Sequence, residues 1–164
     1  MEITDLKKIS AREGIPQAVV EKDYVLSVVL NEISKLKLRE NIVFKGGTAI
    51  KKIYFHEARF SEDLDFTVLG VTKTEILKEL KNGFQDKEVA NVRFISLEDE
   101  GTRAGLRLSL KYVSFLDHPQ RIRFDFSFRN NLVMEPIEKE VLDSYSLDKA
   151  SIKVLKIEEI FAEK

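Results

Sequence analysis

Three segments between Asp63 and Phe128 keep an apolar period of two. Leu64, Phe66 and Val68 alternate with Asp63, Asp65 and Thr67. Leu106, Leu108, Leu110 and Tyr112 alternate with Arg107, Ser109 and Lys111. Ile122, Phe124, Phe126 and Phe128 alternate with Arg121, Arg123, Asp125 and Ser127. Successive strand side chains point to opposite faces, so each segment has one apolar and one polar side. Such strands call for a sheet whose apolar face is covered and whose other face stays polar.

Helical spacing supplies the cover. The first forty residues read as helix, broken at Gly14-Ile15-Pro16, and beyond the break Val19, Val20, Tyr24, Val28, Leu30 and Ile33 recur as on an amphipathic helix. Ile42, Val43 and Phe44 read as a short strand that runs into Gly46-Gly47-Thr48, followed by a short helix over Ala49 to Tyr54. Thr72 or Thr74 caps a helix bearing Ile76, Leu77 and Leu80 that stops at Asn82-Gly83. Val92 to Leu97 adds a strand, and the connections at Gly101 and at Asp117-His118-Pro119 are short enough for antiparallel hairpins. A last helical pattern holds Ile157, Ile160 and Phe161. The predicted class is α+β, with a mixed sheet of about five strands flanked by helices.

The chain has 164 residues, no cysteine and a formal net charge of -1. That excludes disulfide scaffolds, thiolate metal sites and cysteine nucleophiles. No apolar run approaches the roughly 18 residues of a membrane span, and the N-terminus lacks the layout of a signal peptide, so a cytoplasmic protein without membrane contact is expected. Near-neutral charge means that any nucleic-acid contact must come from a local patch.

Three motifs rise above this background: Lys45-Gly46-Gly47-Thr48, Ser61-Glu62-Asp63-Leu64-Asp65-Phe66 and Arg121-Ile122-Arg123-Phe124-Asp125-Phe126. A strand ending in Gly-Gly before a helix lets backbone amides approach a phosphate, and it is also a common tight turn. Asp63 and Asp65 share a strand face with Cα atoms about 6.5–7 Å apart. That suits two divalent ions, and it also suits a solvated strand edge. Asp125 sits on the polar side of a third strand and can join them on one sheet face. Like charges 4 Å apart repel by about 4 kcal/mol at an effective dielectric near 20, and the natural remedy is a cation. Oxygen-only ligation favours Mg2+ or Mn2+ over zinc.

A glycine-rich turn, an Asp-x-Asp strand and a third strand aspartate resemble the DNA polymerase beta-like nucleotidyltransferase superfold. The likeness is closer to the AbiEii/AbiGii-type nucleotidyltransferase toxins of toxin-antitoxin systems. Phe44-Lys45-Gly46-Gly47-Thr48-Ala49 is similar to that family's first motif and Arg59-Phe60-Ser61-Glu62-Asp63-Leu64-Asp65-Phe66 to its second. Asp125 falls where the third acidic motif is expected. Glu21-Lys22-Asp23-Tyr24 and Glu158 to Lys164 resemble further signatures. The resemblance implies a minimal nucleotidyltransferase fold, with residues 1–154 as the core and 155–164 as the start of a C-terminal helical part. Relatives continue past Lys164 into a helical region with an Arg-Asp-x-x-Asp-like motif that this sequence lacks, and the helical part reads as truncated.

It further implies that Asp63, Asp65 and Asp125 are catalytic and hold two metal ions. Lys45, Gly46, Gly47, Thr48, Ser61 and Lys164 would contact a nucleoside triphosphate, with the Thr48 hydroxyl on a phosphate. The expected reaction transfers a nucleoside monophosphate to an acceptor hydroxyl, with tRNA as candidate acceptor and a cognate antitoxin as candidate partner. Lys45, Lys51, Lys52 and Arg59 around the turn, with Arg103, Arg107, Lys111, Arg121 and Arg123, are candidates for a polyanion-binding patch, or are ordinary solvated residues. The alternatives are a small-molecule nucleotidyltransferase of aminoglycoside-modifying type and a non-catalytic nucleotide- or partner-binding module. His56 and His118 read as surface residues, and Asp23 and Tyr24 carry no assigned role.

Overall fold

Gly14, in the left-handed conformation at φ 68°, closes α1 (Ile3–Glu13), and Pro16 opens α2 (Gln17–Ile33). The computed structural model describes residues 1–128 and 132–163. From Val20 to Ile33 every α2 residue except Lys22 is buried, so the helix is enclosed all round rather than on one face. Its polar residues are compatible with burial because each has a partner. Glu21 accepts from the Leu116 amide at 2.6 Å, the Asn31 amide donates to the Asp148 carbonyl at 2.5 Å, and Glu32 is paired with Lys35 and Lys87.

A 3-10 turn (Lys37–Glu40) leads into β1 (Ile42–Lys45), followed directly by α3 (Gly46–Ala49) and a π-helical turn (Ile50–Tyr54). Then come β2 (Asp63–Val68) and α4 (Lys73–Phe84). Thr72 and Glu75 form a reciprocal capping box at the start of α4. This helix runs past the expected stop at Asn82-Gly83. Phe84 is fully buried, and Gly83 leaves room for Leu36, whose methyl carbons would lie 3.2 Å from an added Cβ.

β3 (Glu88–Val89), β4 (Val92–Asp99), β5 (Leu106–Val113), β6 (Gln120–Phe128), β7 (Ile137–Glu140), β8 (Ser151–Val154) and α5 (Ile157–Ala162) complete the chain. The sheet has eight strands in the order β3-β4-β5-β6-β2-β1-β8-β7, parallel at β2/β6 and β1/β8 and antiparallel elsewhere. It is mixed, as expected, but the expected count of about five omits β3, β7 and β8. These three are edge or near-edge strands of two to four residues. Glu138, Lys139 and Glu140 of β7 are exposed and give no apolar alternation. β3 is held by a tight Ala90-Asn91 turn with φ of 51° and 62° at its two residues.

One sheet face is aromatic. Phe44, Phe66 and Phe126 lie on adjacent strands with ring centroids 5.2 and 5.5 Å apart, and Phe84 of α4 meets Phe94 edge-on. Burying that wall fixes the register, because a one-residue slip would turn the phenylalanines out and the aspartates in. No helix among the described residues is long and apolar enough to cross a membrane.

Candidate active site

β1 ends extended at Lys45, and Gly46 turns the chain at φ 80°, a backbone state that favours glycine. The absent side chain has a second use. A Cβ on Gly46 would lie 2.5 Å from Asp65 Oδ2, and one on Gly47 would lie 3.4 Å from Ser61 Oγ. The Gly-Gly pair therefore lets the Asp65 carboxylate and Ser61 rest against the turn. Thr48 is buried, and its hydroxyl donates to the Asp63 carbonyl at 2.5 Å. That bond ties the turn to the start of β2, whereas the family resemblance implies a phosphate as the partner of this hydroxyl.

The parallel pairing of β2 and β6 puts Asp65 directly opposite Asp125, with Asp63 opposite Arg123. On the outer sides, Lys45 of β1 stands opposite Asp65, and Arg107 of β5 stands opposite Asp125. Cross-strand partners project to one face, so four neighbouring strands present Lys45, Asp65, Asp125 and Arg107 in one row. Arg107 Nε donates to Asp125 Oδ1 at 2.6 Å. Lys45 Nζ lies 3.6 Å from Glu163 Oε2, so the end of α5 reaches the row. Burial, then the charges of Asp125 and Asp63, push the Asp65 carboxyl up from 3.8 to about 6, against the opposing pull of Lys45 and Arg107.

The donor chemistry of this face fits a hard divalent cation: adjacent carboxylates, one of them partly buried and under-neutralised. Among the described residues, no three acidic or histidine side chains are already grouped to close around an ion. Asp125 is engaged by Arg107 instead.

The basic residues named for a patch divide: Arg59, Arg103, Arg121 and Arg123 are exposed, whereas others are enclosed. Lys51 and Lys52 are buried. Lys51 Nζ donates to the carbonyls of His56 and Ala58 and stands 4.1 Å from the centroid of the Phe60 ring. Lys52 Nζ lies 2.8 Å from Asp23 Oδ1 and donates to Ser27 Oγ, while Tyr145 donates its hydroxyl to Asp23 Oδ2. Asp23 thus belongs to a buried ion pair linking α2 to the π-helical turn. Tyr24 is buried and donates to the Ala90 carbonyl at 2.6 Å. Arg121 pairs with Glu98 of β4, and Arg123 with Glu100 just past the end of that strand. Only the strand order could reveal these acids, whereas the partnership of Arg107 with Asp125 was signalled by their places on the polar sides of successive strands. His56 and His118 are exposed, and the His56 ring meets Ser144 Oγ at 3.0 Å. Lys164 lies outside the described residues.

A mixed sheet with a Gly-Gly turn at the end of β1 and three aspartates sharing the polar face of β2 and β6 is the architecture of a minimal nucleotidyltransferase. The chain belongs to the family described as nucleotidyl transferase AbiEii toxin, type IV toxin-antitoxin system, whose profile matches residues 28–164. Its fold is similar to that of MenT4, a nucleotidyltransferase toxin from Mycobacterium tuberculosis H37Rv, with a TM-score of 0.79 at 18% sequence identity. The match covers 99% of this chain and 57% of MenT4, so the chain spans little more than half the length of that protein. No curated protein matches the sequence.

Proposed function

We propose that this chain is the catalytic core of a toxin-type nucleotidyltransferase that moves a nucleoside monophosphate from a nucleoside triphosphate to an acceptor hydroxyl, with the α–β phosphoanhydride bond broken and pyrophosphate released. The observation that carries the proposal is the placement of Asp65 directly opposite Asp125, with Asp65 held in a partly buried, under-neutralised state. Asp63, Asp65 and Asp125 would hold Mg2+ or Mn2+, as two ions. When bound, these ions supply Lewis-acid stabilisation of the charge on the reacting and leaving phosphate oxygens.

The chain's own residues do the rest. The side-chain-free turn at Gly46 and Gly47 admits the triphosphate close to the backbone, with Ser61 beside it. Lys45 gives positive charge next to Asp65. Asp125 accepts the proton of the attacking hydroxyl on a carboxylate oxygen once Arg107 has released it. Thr48 acts by positioning the Asp63 backbone. By family resemblance Lys164 contacts the nucleotide, and residues 155–164 open a further helical part. A cognate antitoxin partner, tRNA as acceptor and a cytoplasmic setting complete the proposal.

The pairing of Arg121 and Arg123 with Glu98 and Glu100 favours a second reading, in which the acceptor is a small molecule rather than a polyanion. Incubation with each α-labelled nucleoside triphosphate, Mg2+ and either total tRNA or amino sugars separates the two. Label on tRNA that disappears in Asp63→Ala supports the first reading, and label only on amino sugars supports the second. Nucleotide binding without transfer to either acceptor would leave a non-catalytic module.

A further inference from the structure

We propose that Arg107 is a positioning residue that occupies Asp125 in place of a divalent cation and so sets how tightly the face binds metal. This rests on the metal-dependent reading above. Arg107 and Asp125 are register partners on β5 and β6, and Nε meets Oδ1 at 2.6 Å. The guanidinium side chain is 43% exposed, and that of Asp125 is 26% exposed. The pair is therefore accessible from solvent and able to open, unlike the enclosed Lys52–Asp23 pair, whose side chains are 5% and 7% exposed.

Arg107 holds Asp125 Oδ1, so a metal that takes that oxygen displaces the guanidinium and forfeits the pair. A metal that takes Oδ2 binds beside an uncancelled positive charge. On either route the guanidinium lowers the metal affinity of the carboxylate. Arg107 has somewhere to go. Glu100, just past the end of β4, already draws on its charge while pairing with Arg123 at 3.2 Å. The contact has a positive use as well: without metal it keeps Asp125 from repelling Asp65 unopposed across the β2/β6 pairing. Lys45 cannot substitute for it, because Lys45 stands on the far side of Asp65 and lies near Glu163.

The test is binding of Mn2+ alone, followed by the loss of the free-ion electron paramagnetic resonance signal, in wild type, Arg107→Gln, Arg107→Lys and Asp125→Asn. Arg107→Gln should bind Mn2+ at least about fivefold more tightly than wild type, corresponding to ~1 kcal/mol. Arg107→Lys should fall between the two. In the Asp125→Asn background the Arg107→Gln gain should shrink to less than about twofold. A residue that only supports the sheet would give equal or weaker binding in Arg107→Gln, and that result, in protein with a wild-type circular dichroism spectrum, overturns the inference. Asp63→Asn, which leaves the Arg107–Asp125 contact in place, separates the two levels of the argument. If it weakens Mn2+ binding while Arg107→Gln changes nothing, the metal reading stands and the role of Arg107 falls. If it has no effect on Mn2+ binding, the metal reading itself falls.

Discussion

Replacing Asp65 by asparagine should make the metal-free protein more stable while abolishing its chemistry. Asp65 is the acid whose surroundings most oppose its charge. Burial and the neighbouring carboxylates of Asp125 and Asp63 raise it from 3.8 to about 6 despite Lys45 and Arg107. Moving a carboxyl that far corresponds to roughly 3 kcal/mol between its charged and neutral forms. Residual exposure and salt screening reduce this to ~1–3 kcal/mol. The sign follows from linkage: a carboxyl raised on folding contributes stability that is fully present below its unfolded value near 3.8. That contribution is lost as pH rises through about 6. Asparagine keeps the volume and has no charge to lose.

In EDTA, the melting temperatures of Asp65→Asn and wild type should therefore nearly coincide at pH 4 and separate between pH 4 and 7. By pH 8 the variant should lead by about 2–12 °C, taking 2–4 °C per kcal/mol for a chain of this size. Saturating Mg2+ should close most of the gap, because the cation stabilises only the charged face. Thermal melts by circular dichroism across pH, with and without Mg2+, read all of this. A variant that melts at or below wild type at pH 8, or a gap that does not change with pH, would refute the reasoning.

Other parts of the site give sharper yes-or-no outcomes. Gly46→Ala forces a side chain into a φ of 80° and against Asp65 Oδ2, so it should cost ~1–2 kcal/mol in melts. By displacing that carboxylate it should also lower nucleotide transfer by about 100-fold in initial rates. Thr48→Val removes the bond to the Asp63 carbonyl and should cost ~1–2 kcal/mol while leaving nucleotide affinity within about twofold. A tenfold loss of affinity, measured by calorimetry, would return the hydroxyl to the phosphate. Lys52→Met strands the buried Asp23 carboxylate and should cost ~3–5 kcal/mol in denaturant melts, with much of the loss recovered by adding Asp23→Leu.

Where one face of a segment is polar and the other apolar, the chain announced its own structure. β2, β5 and β6 were legible from alternation, and with them the placement of Asp63, Asp65 and Asp125 on the polar side. The pairing of β2 with β6 was not legible, because strand order depends on which aromatic rings stack across the sheet and not on proximity in sequence. For the same reason Glu98 and Glu100 could not be assigned to Arg121 and Arg123. Lys51 and Lys52 misled because a buried lysine is spelled like a solvated one. What encloses them is the π-helical turn, the carbonyls of His56 and Ala58, and an aspartate in α2. β7 escaped notice because an exposed strand paired along one side needs no apolar face.

The order of charges across the four central strands ties stability to function. Like charges directly opposite on paired strands are destabilising, yet Asp65 and Asp125 occupy such positions at the centre of an eight-stranded sheet. The fold tolerates them because each has a basic residue as its other lateral neighbour, Lys45 on β1 and Arg107 on β5. Those two residues do not neutralise the pair equally. Arg107 makes direct contact with Asp125, while Lys45 lies near Glu163 and leaves Asp65 with its proton affinity raised. The imbalance localises the unmet negative charge at Asp65, beside the Gly46 turn that has no side chain of its own. A sequence selected for stability alone would place an asparagine or a second pairing partner there. An aspartate at this point, with a glycine beside it, is a local conflict that a bound cation would resolve, and that conflict supports the proposal that the chemistry lies at this end of β2.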